Sequence, residues 1–427
     1  MDRTFTPASG LSGALAMPAD KSIAHRALLL AGMAAGTSRI SGRLSGEDVS
    51  STRRCMQLLG ARTFDEADGV LVVQGTGWEV PTQAALDCGN SGTTMRLLSG
   101  ALAGRPGTFT LSGDASLSRR PMRRVAEPLR LMGAGIETSG DGLPPLTVRG
   151  AALTPISYRL PVPSAQVKSA ILLAGMQTEG TTTVMEPASS RDHTERLLGW
   201  LGCAVEREEG RVAITGGDQL FRHPGFELEI PGDLSSAAFW LVAAILVPGG
   251  RVRIDSVGLN PGRTGVLEVL ADMGADLQVS YSASRPEPVG SVAAAAGPLR
   301  AVEIGGPVIP RSVDELPLLA LAATQAEGVT VIRDAAELRV KETDRIAVLA
   351  RGLRTLGAKV EDRPDGMVIE GPTPLSGGVV EAAGDHRMAM TFAVAGLIAR
   401  EGVTVNGWEA ASVSYPQFMS DLREVAR

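Results

Sequence analysis

One pattern of residues occurs six times along this chain of 427 residues. Each copy starts with polar residues, continues as an apolar helix, passes a turn containing glycine and ends in a β-branched strand. The clearest copy is PSAQVKSAILLAGMQTEGTTTVMEP, which runs from Pro163 to Pro187. The other five copies begin at Asp20, Asn90, Gly232, Arg311 and Gly384. Because the copies lie about 70 to 80 residues apart, each is a module of several elements and not one hairpin of a solenoid.

A second pattern lies between these copies: an amphipathic helix, a Leu-Gly-Ala ending or a near variant, and two short strands. Its five instances begin at Cys55, Pro128, Leu197, Val269 and Leu353. The glycine suits a helix C-cap in the left-handed region, and the β-branched residues beyond it suit a strand. The sixth instance is divided, because FMSDLREVAR is a helix with no hairpin after it and FTPASGLSGALAMP reads as strands with no helix before them. We therefore expect the two ends of the chain to complete one module.

The two patterns together predict an α/β protein of six βαβαββ modules, three in each of two domains. One domain is discontinuous, with residues 1–19 and 233–427 and therefore both termini. The other is inserted into it and spans residues 20–232, so the hinge is expected near 19–20 and 232–233. The 51 glycines and the Ala-rich helices fit close packing of helices on sheets, with little room for a cofactor.

Composition limits the class of protein. With 44% hydrophobic and 21% charged residues, the chain is expected to be soluble and globular. Its longest apolar run, Ala237 to Val247, is far shorter than the roughly 20 residues that cross a bilayer, so no membrane association is expected. The start lacks a signal-peptide pattern, and Cys55, Cys88 and Cys203 are scattered, which indicates a reducing cytoplasm. A net charge of −6 argues against nucleic acid as a partner.

Charged residues gather where the repeated helices begin. Lys21, Ser22 and Arg26 lie in the first turns of the first helix, where free N–H groups and the helix dipole favour an anion. Alternatively, Ser22 caps the helix and the two cations are solvated. In the second copy, the glycines of GNSG allow close approach of a ligand or only a tight turn, and no P-loop lysine follows. The segment Ser118–Arg124 holds four arginines, which favours an anion there because like charges repel.

Similar clusters follow later in the chain. The segment Ser190–Glu195 is compatible with a capped, ion-paired first turn as well as with a binding site. Lys341 and Arg345 are four residues apart, which predicts that they share one helical face, with Glu342 beside them. Asp314 could simply stabilise a helix N-terminus. Since all six first helices begin with polar or charged groups, we expect these N-termini to converge on one cleft between the domains.

Six of these segments, in the same order over essentially the whole chain, closely resemble the motifs of the 5-enolpyruvylshikimate-3-phosphate synthase family. They are DKSIAHRALLLAG, GNSGTTMRLL, RRPM, PSAQVKSAILLAG, LRVKETDRI and GDHRMAM. The sequence SAQVKSAILLAG followed by SRDHTE resembles the branch called class II. The resemblance implies a monomer of two inside-out α/β barrel domains, joined by a two-stranded hinge and closing on substrate. It implies no metal and no organic cofactor.

The resemblance also implies a reaction and its residues: transfer of the enolpyruvyl group of phosphoenolpyruvate to the 5-hydroxyl of shikimate 3-phosphate, in chorismate and aromatic amino-acid biosynthesis. The residues implied for shikimate 3-phosphate are Lys21, Ser22, Arg26, Ser164, Ala165, Gln166, Arg191, Asp314 and Lys341. Those implied for phosphoenolpyruvate are Lys21, Gly92, Arg120, Gln166, Arg345 and Arg387. Both substrates carry a phosphate and a carboxylate, which suits many cations at helix N-termini.

For catalysis, Asp314 resembles the family's general base, and Lys21 and Glu342 are the candidates for the acid, with His386 supporting it. The chain departs from many relatives at Val413, where they carry a lysine. Two alternatives are weaker. A sister enzyme acting on UDP-N-acetylglucosamine usually has a cysteine in the loop before Arg-Pro, and GDASLSRR has none. A non-catalytic repeat scaffold would need exposed apolar or aromatic anchors.

Overall fold

The computed structural model describes residues 1–426 and divides the chain into two compact units. Unit 1 consists of Met1–Pro18, Pro231–Ser284 and the chain from Pro288 onward. Unit 2 consists of Ala19–Ile230 and the three residues Arg285–Glu287. That these units are the two predicted domains, hinged near 19–20 and 232–233, stays a prediction.

The strands within residues 1–426 are short. They are β1 (Asp2–Phe5), β2 (Ser12–Ala16), β3 (Thr37–Ser41), β4 (Arg62–Asp65), β5 (Leu71–Gln74), β6 (Gln83–Asp87), β7 (Gly107–Ser112), β8 (Gly135–Ser139), β9 (Leu143–Gly150), β10 (Ser157–Arg159), β11 (Thr181–Met185), β12 (Val205–Glu208), β13 (Arg211–Thr215), β14 (Glu227–Glu229), β15 (Arg251–Gly258), β16 (Asp276–Ala283), β17 (Val289–Ala295), β18 (Glu303–Ile304), β19 (Gly328–Ile332), β20 (Lys359–Arg363), β21 (Gly366–Gly371), β22 (Gly378–Glu381) and β23 (Val403–Asn406).

The helices alternate with these strands. They are α1 (Lys21–Met33), α2 (Glu47–Leu58), α3 (Gly92–Ala103), α4 (Arg123–Leu131), α5 (Ala165–Gly175), α6 (His193–Trp200), α7 (Leu234–Leu246), α8 (Gly265–Asp272), α9 (Ile309–Ser312), α10 (Leu316–Ala323), α11 (Arg345–Thr355), α12 (His386–Ile398) and α13 (Phe418–Val425). Short 3-10 turns occur at Leu117–Arg119, Gly306–Val308, Ala336–Val340 and Trp408–Val413.

Unit 2 contains three four-stranded sheets, with strand orders β14-β3-β5-β4, β6-β7-β9-β8 and β10-β11-β13-β12. The helices that begin the repeats, α1, α3 and α5, are buried along almost their whole length and belong to one hydrophobic core. A Cβ added to Gly100 on α3 would lie 2.1 Å from the carbonyl oxygen of Ala170 on α5. The two helices therefore touch backbone to backbone, which only glycine permits at this point.

Unit 1 repeats this arrangement. Its sheets have the orders β16-β17-β15-β2, β18-β19-β21-β20 and β1-β23-β22, and its buried helices are α7, α10 and α12. A helix that is apolar on all sides has to be surrounded by other elements, and these three lie in a second hydrophobic core. The predicted α/β class built from repeated modules is confirmed. Closure of each unit into a barrel stays a prediction.

Two strands are exchanged relative to the order of the sequence. β2 directly precedes α1, but it pairs in parallel with β15, after α7. β14 directly precedes α7, but it pairs in parallel with β3, after α1. Each crossover helix thus follows a strand that belongs to the other unit's sheet. The passages of the chain between the units at 18–19 and 230–231 arise from this exchange.

The two ends of the chain complete one module, as predicted. β1 pairs antiparallel with β23, from Asp2 opposite Asn406 to Phe5 opposite Val403. Leu11 also forms an isolated antiparallel bridge with Ala426, just beyond α13. The N-terminal strand β1 therefore takes the place of one strand of the hairpin that the C-terminal sequence lacks, and this sheet has three strands where the other sheets have four.

The predicted helix endings are confirmed. All five glycines of the second pattern have φ between 85° and 105°, namely Gly60, Gly133, Gly202, Gly274 and Gly357. Glycine adopts this region without the steric cost that a Cβ brings. Each of them lies between a helix and the antiparallel hairpin that follows it.

Candidate active site

In unit 2, hydrogen bonds join the N-termini of α3 and α5. Nη1 of Arg96 donates to Oε1 of Gln166 at 2.7 Å, and Nε2 of Gln166 donates to Oγ1 of Thr93 at 2.7 Å. Both ends of the Gln166 amide therefore have protein partners, which fixes its orientation. Ser164 caps α5 by accepting from the backbone N–H of Val167, and Ala165 is the first residue of that helix.

Gly92, the first residue of α3, lies against two arginines. A Cβ built on Gly92 would be 2.7 Å from Nη1 of Arg96 and 3.4 Å from Nη1 of Arg120. Arg120 is held in turn by Asn90, whose Oδ1 accepts from its Nη2 at 3.0 Å. Two guanidinium groups at a helix N-terminus form a strongly positive region, which suits an anion.

The N-terminus of α1 differs in one respect from the prediction. The capping residue is Asp20, whose Oδ1 accepts from the backbone N–H groups of Ser22 at 2.8 Å and Ile23 at 3.1 Å. The alternative in which Ser22 caps the helix is therefore wrong, because the carboxylate of Asp20 already takes those donors. Nζ of Lys21 lies 3.2 Å from Oδ2 of Asp48 on α2, so the predicted substrate lysine has an internal counter-ion.

Arg26 is buried and makes three contacts through its guanidinium. It donates from Nε to Oγ1 of Thr194 at 2.6 Å, from Nη1 to the carbonyl oxygen of Ser22 at 2.8 Å, and from Nη2 to Oγ of Ser169 at 2.8 Å. Burial lowers the pKa of Arg26 to about 10, and the positive charge of Arg191 contributes to this shift. Arg191 itself is half-buried, between β11 and α6. Two cations brought near each other favour binding of an anion.

In unit 1, Arg345 is surrounded by three carboxylates. Its Nε lies 2.8 Å from Oδ2 of Asp385, its Nη2 lies 2.8 Å from Oε2 of Glu342, and its Nη1 lies 3.3 Å from Oδ1 of Asp314. Burial acts to lower the pKa of Arg345, but the three carboxylates outweigh it and raise the pKa. Every edge of the guanidinium is therefore directed at a carboxylate.

Asp314 precedes α10 and has three cations near its carboxylate. Besides Arg345, Nζ of Lys341 lies 4.0 Å from Oδ1, and Nη2 of Arg387 lies 4.0 Å from Oδ2. Nearby positive charges favour the ionised form of a carboxylate, which is the form that a general base needs. The capping position of α10 is taken by Glu315.

Lys341 does not lie on a helix. It follows the 3-10 turn Ala336–Val340 in an extended conformation, and α11 begins only at Arg345. The prediction that Lys341 and Arg345 share a helical face is therefore wrong, although both side chains point to Asp314. Burial lowers the pKa of Lys341, Arg345 adds to this, and Asp314 opposes it.

Arg387 contrasts with Arg345. It lies in the first turn of α12, one residue after His386, and both side chains are buried. Its Nη1 is 3.9 Å from Oε1 of Glu315, and among residues 1–426 its Nε has no hydrogen-bond partner. A buried guanidinium that still has an unused donor is suited to receive an anionic group.

Comparison with known proteins identifies the family. The model of the family described as EPSP synthase (3-phosphoshikimate 1-carboxyvinyltransferase) matches residues 5–422. The chain belongs to this family. The 3-phosphoshikimate 1-carboxyvinyltransferase of Synechococcus sp. (strain RCC307) is 50% identical over 432 residues, covering 98% of this chain and 97% of the relative. The enzyme of the same name from Bacillus licheniformis is 48% identical, covering 98% of each chain.

Solved structures agree with this membership of the EPSP synthase family. An EPSP synthase from Acinetobacter baumannii superposes with a TM-score of 0.87 at 40% identity, covering 100% of this chain and 98% of that one. The enolpyruvyl transferase NikO from Streptomyces tendae superposes with a TM-score of 0.80, over 99% of this chain and 96% of that one. At 21% identity the second likeness shows the fold alone.

Sequence reasoning missed several residues that the structure brings to these positions. Arg96 could have been predicted from the sequence, because it lies four residues after Gly92 and hence on the same face of α3. Asp385 could also have been predicted, since an aspartate before an apolar helix is a typical N-cap. It accepts from the backbone N–H of Arg387 at 2.8 Å. The role of Asp48 could not have been predicted, because its contact with Lys21 joins two different helices, and spacing along the sequence does not show which helices meet.

No helix within residues 1–426 combines the length and the hydropathy of a membrane span. The same residues contain no group of three or more His, Cys, Asp or Glu side chains placed to hold a metal ion.

Proposed function

We propose that this chain transfers the carboxyvinyl group of phosphoenolpyruvate to the 5-hydroxyl of shikimate 3-phosphate and releases phosphate. The observation that carries this proposal is the match to the EPSP synthase family over residues 5–422, with 50% identity to a named relative. The relatives are named for shikimate phosphate as acceptor, which does not favour UDP-N-acetylglucosamine.

The chemistry defines which groups the chain has to supply. The oxygen of the 5-hydroxyl forms a bond to C2 of phosphoenolpyruvate while the methylene carbon gains a proton. The bond between C2 and the phosphate oxygen then breaks and the new methyl group loses a proton, which restores the vinyl group. One group must therefore take the hydroxyl proton, and another must give a proton to carbon and later remove one.

We assign the role of general base to Asp314. Its carboxylate lies 3.3 Å from Arg345 and 4.0 Å from both Lys341 and Arg387, so three cations surround the group that would take the hydroxyl proton. For the carbon acid, the candidates remain Lys21 and Glu342, with His386 as a supporting residue. These roles stay as predicted from the resemblance.

The cations supply the second contribution, stabilisation of anions. The residues predicted to bind the two substrates lie in both units, at or near helix N-termini, and include buried or half-buried cations. Phosphate leaves as an anion, so guanidinium donors stabilise the charge that develops on it. Binding of phosphoenolpyruvate to Arg345 would have to replace a carboxylate that this arginine now contacts.

A phosphate-release assay tests the proposal. Phosphoenolpyruvate is supplied with shikimate 3-phosphate in one reaction and with UDP-N-acetylglucosamine in another, at equal enzyme concentration. We expect release only with shikimate 3-phosphate. Release with the nucleotide sugar alone, or with neither acceptor, would contradict the proposal.

Two finer expectations belong to the same proposal. The substrates are small molecules, and we expect the chain to act as a monomer in the cytoplasm, as the resemblance and the cysteine usage predict. Sedimentation at micromolar concentration would test the first of these. A mass of two or more chains would contradict it.

A further inference from the structure

The segment of residues 186–195, which carries Arg191, contacts one buried lysine. Lys168, on α5, is 1% exposed. Its Nζ lies 2.6 Å from Oε2 of Glu186, directly after β11, and 2.8 Å from Oε1 of Glu195, in the first turn of α6. Nζ also donates to the carbonyl oxygen of Ser190 at 3.4 Å. The ammonium group therefore donates hydrogen bonds to Glu186 and Ser190 and forms an ion pair with Glu195, so all three of its contacts lie in this one segment.

A further hydrogen bond closes the arrangement. Oγ of Ser190 donates to Oε1 of Glu186, the oxygen that Lys168 does not use. The carboxylates of Glu186 and Glu195 are almost fully buried. Burial acts to lower the pKa of Lys168, but these two carboxylates outweigh it and raise the pKa, so the lysine stays charged. The ammonium group of Lys168 thus contacts Glu186 at the start of the segment, Ser190 within it and Glu195 at its end.

The charges of this cluster are balanced by Arg26. Two carboxylates and one ammonium leave one net negative charge in the interior, which is costly unless another cation is near. Arg26 is 3% exposed, and its Nε donates to Oγ1 of Thr194, the residue before Glu195. The negative charge of Glu195 favours the protonated form of Arg26. The cluster therefore connects to both arginines of unit 2 that are predicted to bind shikimate 3-phosphate.

We propose that Lys168 is a positioning residue for shikimate 3-phosphate. By holding Glu186, Ser190 and Glu195, it fixes the backbone that carries Arg191 and the helix start that orients Arg26. It does not touch the substrate and takes no part in proton transfer. The inference rests on the proposed function, because it concerns the acceptor site of that reaction.

The decisive variant is Glu186→Ala. It removes one contact of the segment but leaves Lys168 and Glu195 as a neutral buried pair, so we expect the fold to be retained. We expect the Kd and the KM for shikimate 3-phosphate to rise about tenfold, because a displaced Arg191 would weaken a charge-assisted hydrogen bond to the substrate. The KM for phosphoenolpyruvate and kcat should change by less than about twofold. Ser190→Ala, which removes only a hydroxyl, should raise the KM for shikimate 3-phosphate by about threefold.

The matched control is Val73→Ala. Val73 is fully buried on β5 in the same unit, so its truncation lowers stability without altering the segment. Below its midpoint of unfolding, this variant should keep both KM values. If Glu186→Ala raised both KM values equally, or left the KM for shikimate 3-phosphate within about twofold, the positioning role would be wrong. If that variant did not fold, an unchanged KM in Ser190→Ala would overturn the proposal in the same way.

Calorimetry of shikimate 3-phosphate binding to the unaltered chain distinguishes failure of the proposed function from failure of the positioning role of Lys168. Without binding, the proposed function itself fails. With binding in the unaltered chain and equal binding in Glu186→Ala, only the positioning role of Lys168 fails.

Discussion

Nη1 of Arg345 lies 3.3 Å from Oδ1 of Asp314, although 31 residues separate them in the chain. The contact joins the proposed general base to an arginine predicted to bind phosphoenolpyruvate. Because the same guanidinium also contacts Glu342 and Asp385, the proposed base and one candidate acid share a single cation. Substitutions at these positions should therefore have distinguishable effects on turnover, binding and stability.

Asp314→Asn should lower turnover far more than it weakens binding of shikimate 3-phosphate. Asparagine has nearly the same shape and can still accept a hydrogen bond from the hydroxyl, but it cannot take the proton. Loss of a general base costs about 10² to 10⁴ in rate, whereas loss of one charged hydrogen bond costs about 1.5 to 3 kcal/mol in binding. The measurements are kcat, the Kd of shikimate 3-phosphate and the midpoint of thermal unfolding on one preparation. Near-normal kcat with a lowered midpoint would show that Asp314 is only structural.

Arg345→Met and Arg387→Met should differ in stability. The first leaves three carboxylates without their shared cation, two of them hydrogen-bonded to it at 2.8 Å, and breaking a buried pair typically costs about 3 to 5 kcal/mol. The second removes a guanidinium whose nearest carboxylates are 3.9 and 4.0 Å away, so we expect a smaller loss. Urea unfolding measures the difference.

Both variants should bind phosphoenolpyruvate more weakly, because each removes a predicted partner of an anion. For Arg387→Met, which we expect to remain folded, the KM for phosphoenolpyruvate should rise about tenfold or more. Equal losses of stability in the two variants would contradict the distinction between an arginine already saturated by carboxylates and one with an unused donor.

Gly92→Ala should weaken binding of phosphoenolpyruvate specifically. The new Cβ would lie 2.7 Å from Nη1 of Arg96, so this flexible side chain must move, and 3.4 Å from Nη1 of Arg120, which is an ordinary van der Waals contact. Helix α3 itself tolerates alanine, which favours helix over glycine by about 1 kcal/mol. We expect a higher KM for phosphoenolpyruvate, a smaller change for shikimate 3-phosphate and no loss of stability. Gly199→Ala is the matched control, because nothing lies within 4 Å of a Cβ added on α6.

His25→Gln should reduce the loss of stability in acid. Thr94 Oγ1 donates to Ser91, so Thr52 must donate to Thr94, and Nδ1 of His25 must donate to Thr52 at 2.6 Å. Nδ1 of the imidazole therefore carries a proton. Burial lowers its pKa from 6.5 to about 4; Asp48 and Asp20 act against the shift, while Lys21 and Arg26 add to it.

Between pH 6.5 and about 4 the unfolded chain binds the His25 proton and the folded chain does not, so stability falls as pH falls through this window. The slope is about 1.4 kcal/mol per pH unit from this one group. Glutamine can still donate to Thr52 but does not titrate. The free energy of unfolding from pH 7 to 4.5 should therefore fall less steeply in His25→Gln. Parallel profiles would show that His25 does not titrate in this way.

Local features were predictable because neighbouring residues determine them. The glycines after the second helices follow from the conformation that a helix C-terminus requires, and the six apolar helices follow from repeated runs of buried residue types. The joining of the two chain ends also followed from the repeat, since an incomplete module at each end needs a partner. Lysines and arginines at helix N-termini predict anion binding for a local reason as well, because the free N–H groups and the dipole of a helix N-terminus favour an anion.

The sequence by itself determined the modules, their order and the residue types that begin each helix, because these depend on periodicity and on local backbone preference. Only the tertiary structure decided the exchange of β2 and β14 between sheets, since a strand pairs with whichever edge the packed chain presents. It also decided which charges meet: Arg345 with Asp385, Lys21 with Asp48, and Lys168 with Glu186 and Glu195. Such pairs depend on distances of a few ångströms between segments far apart in the chain, which spacing along the sequence does not specify.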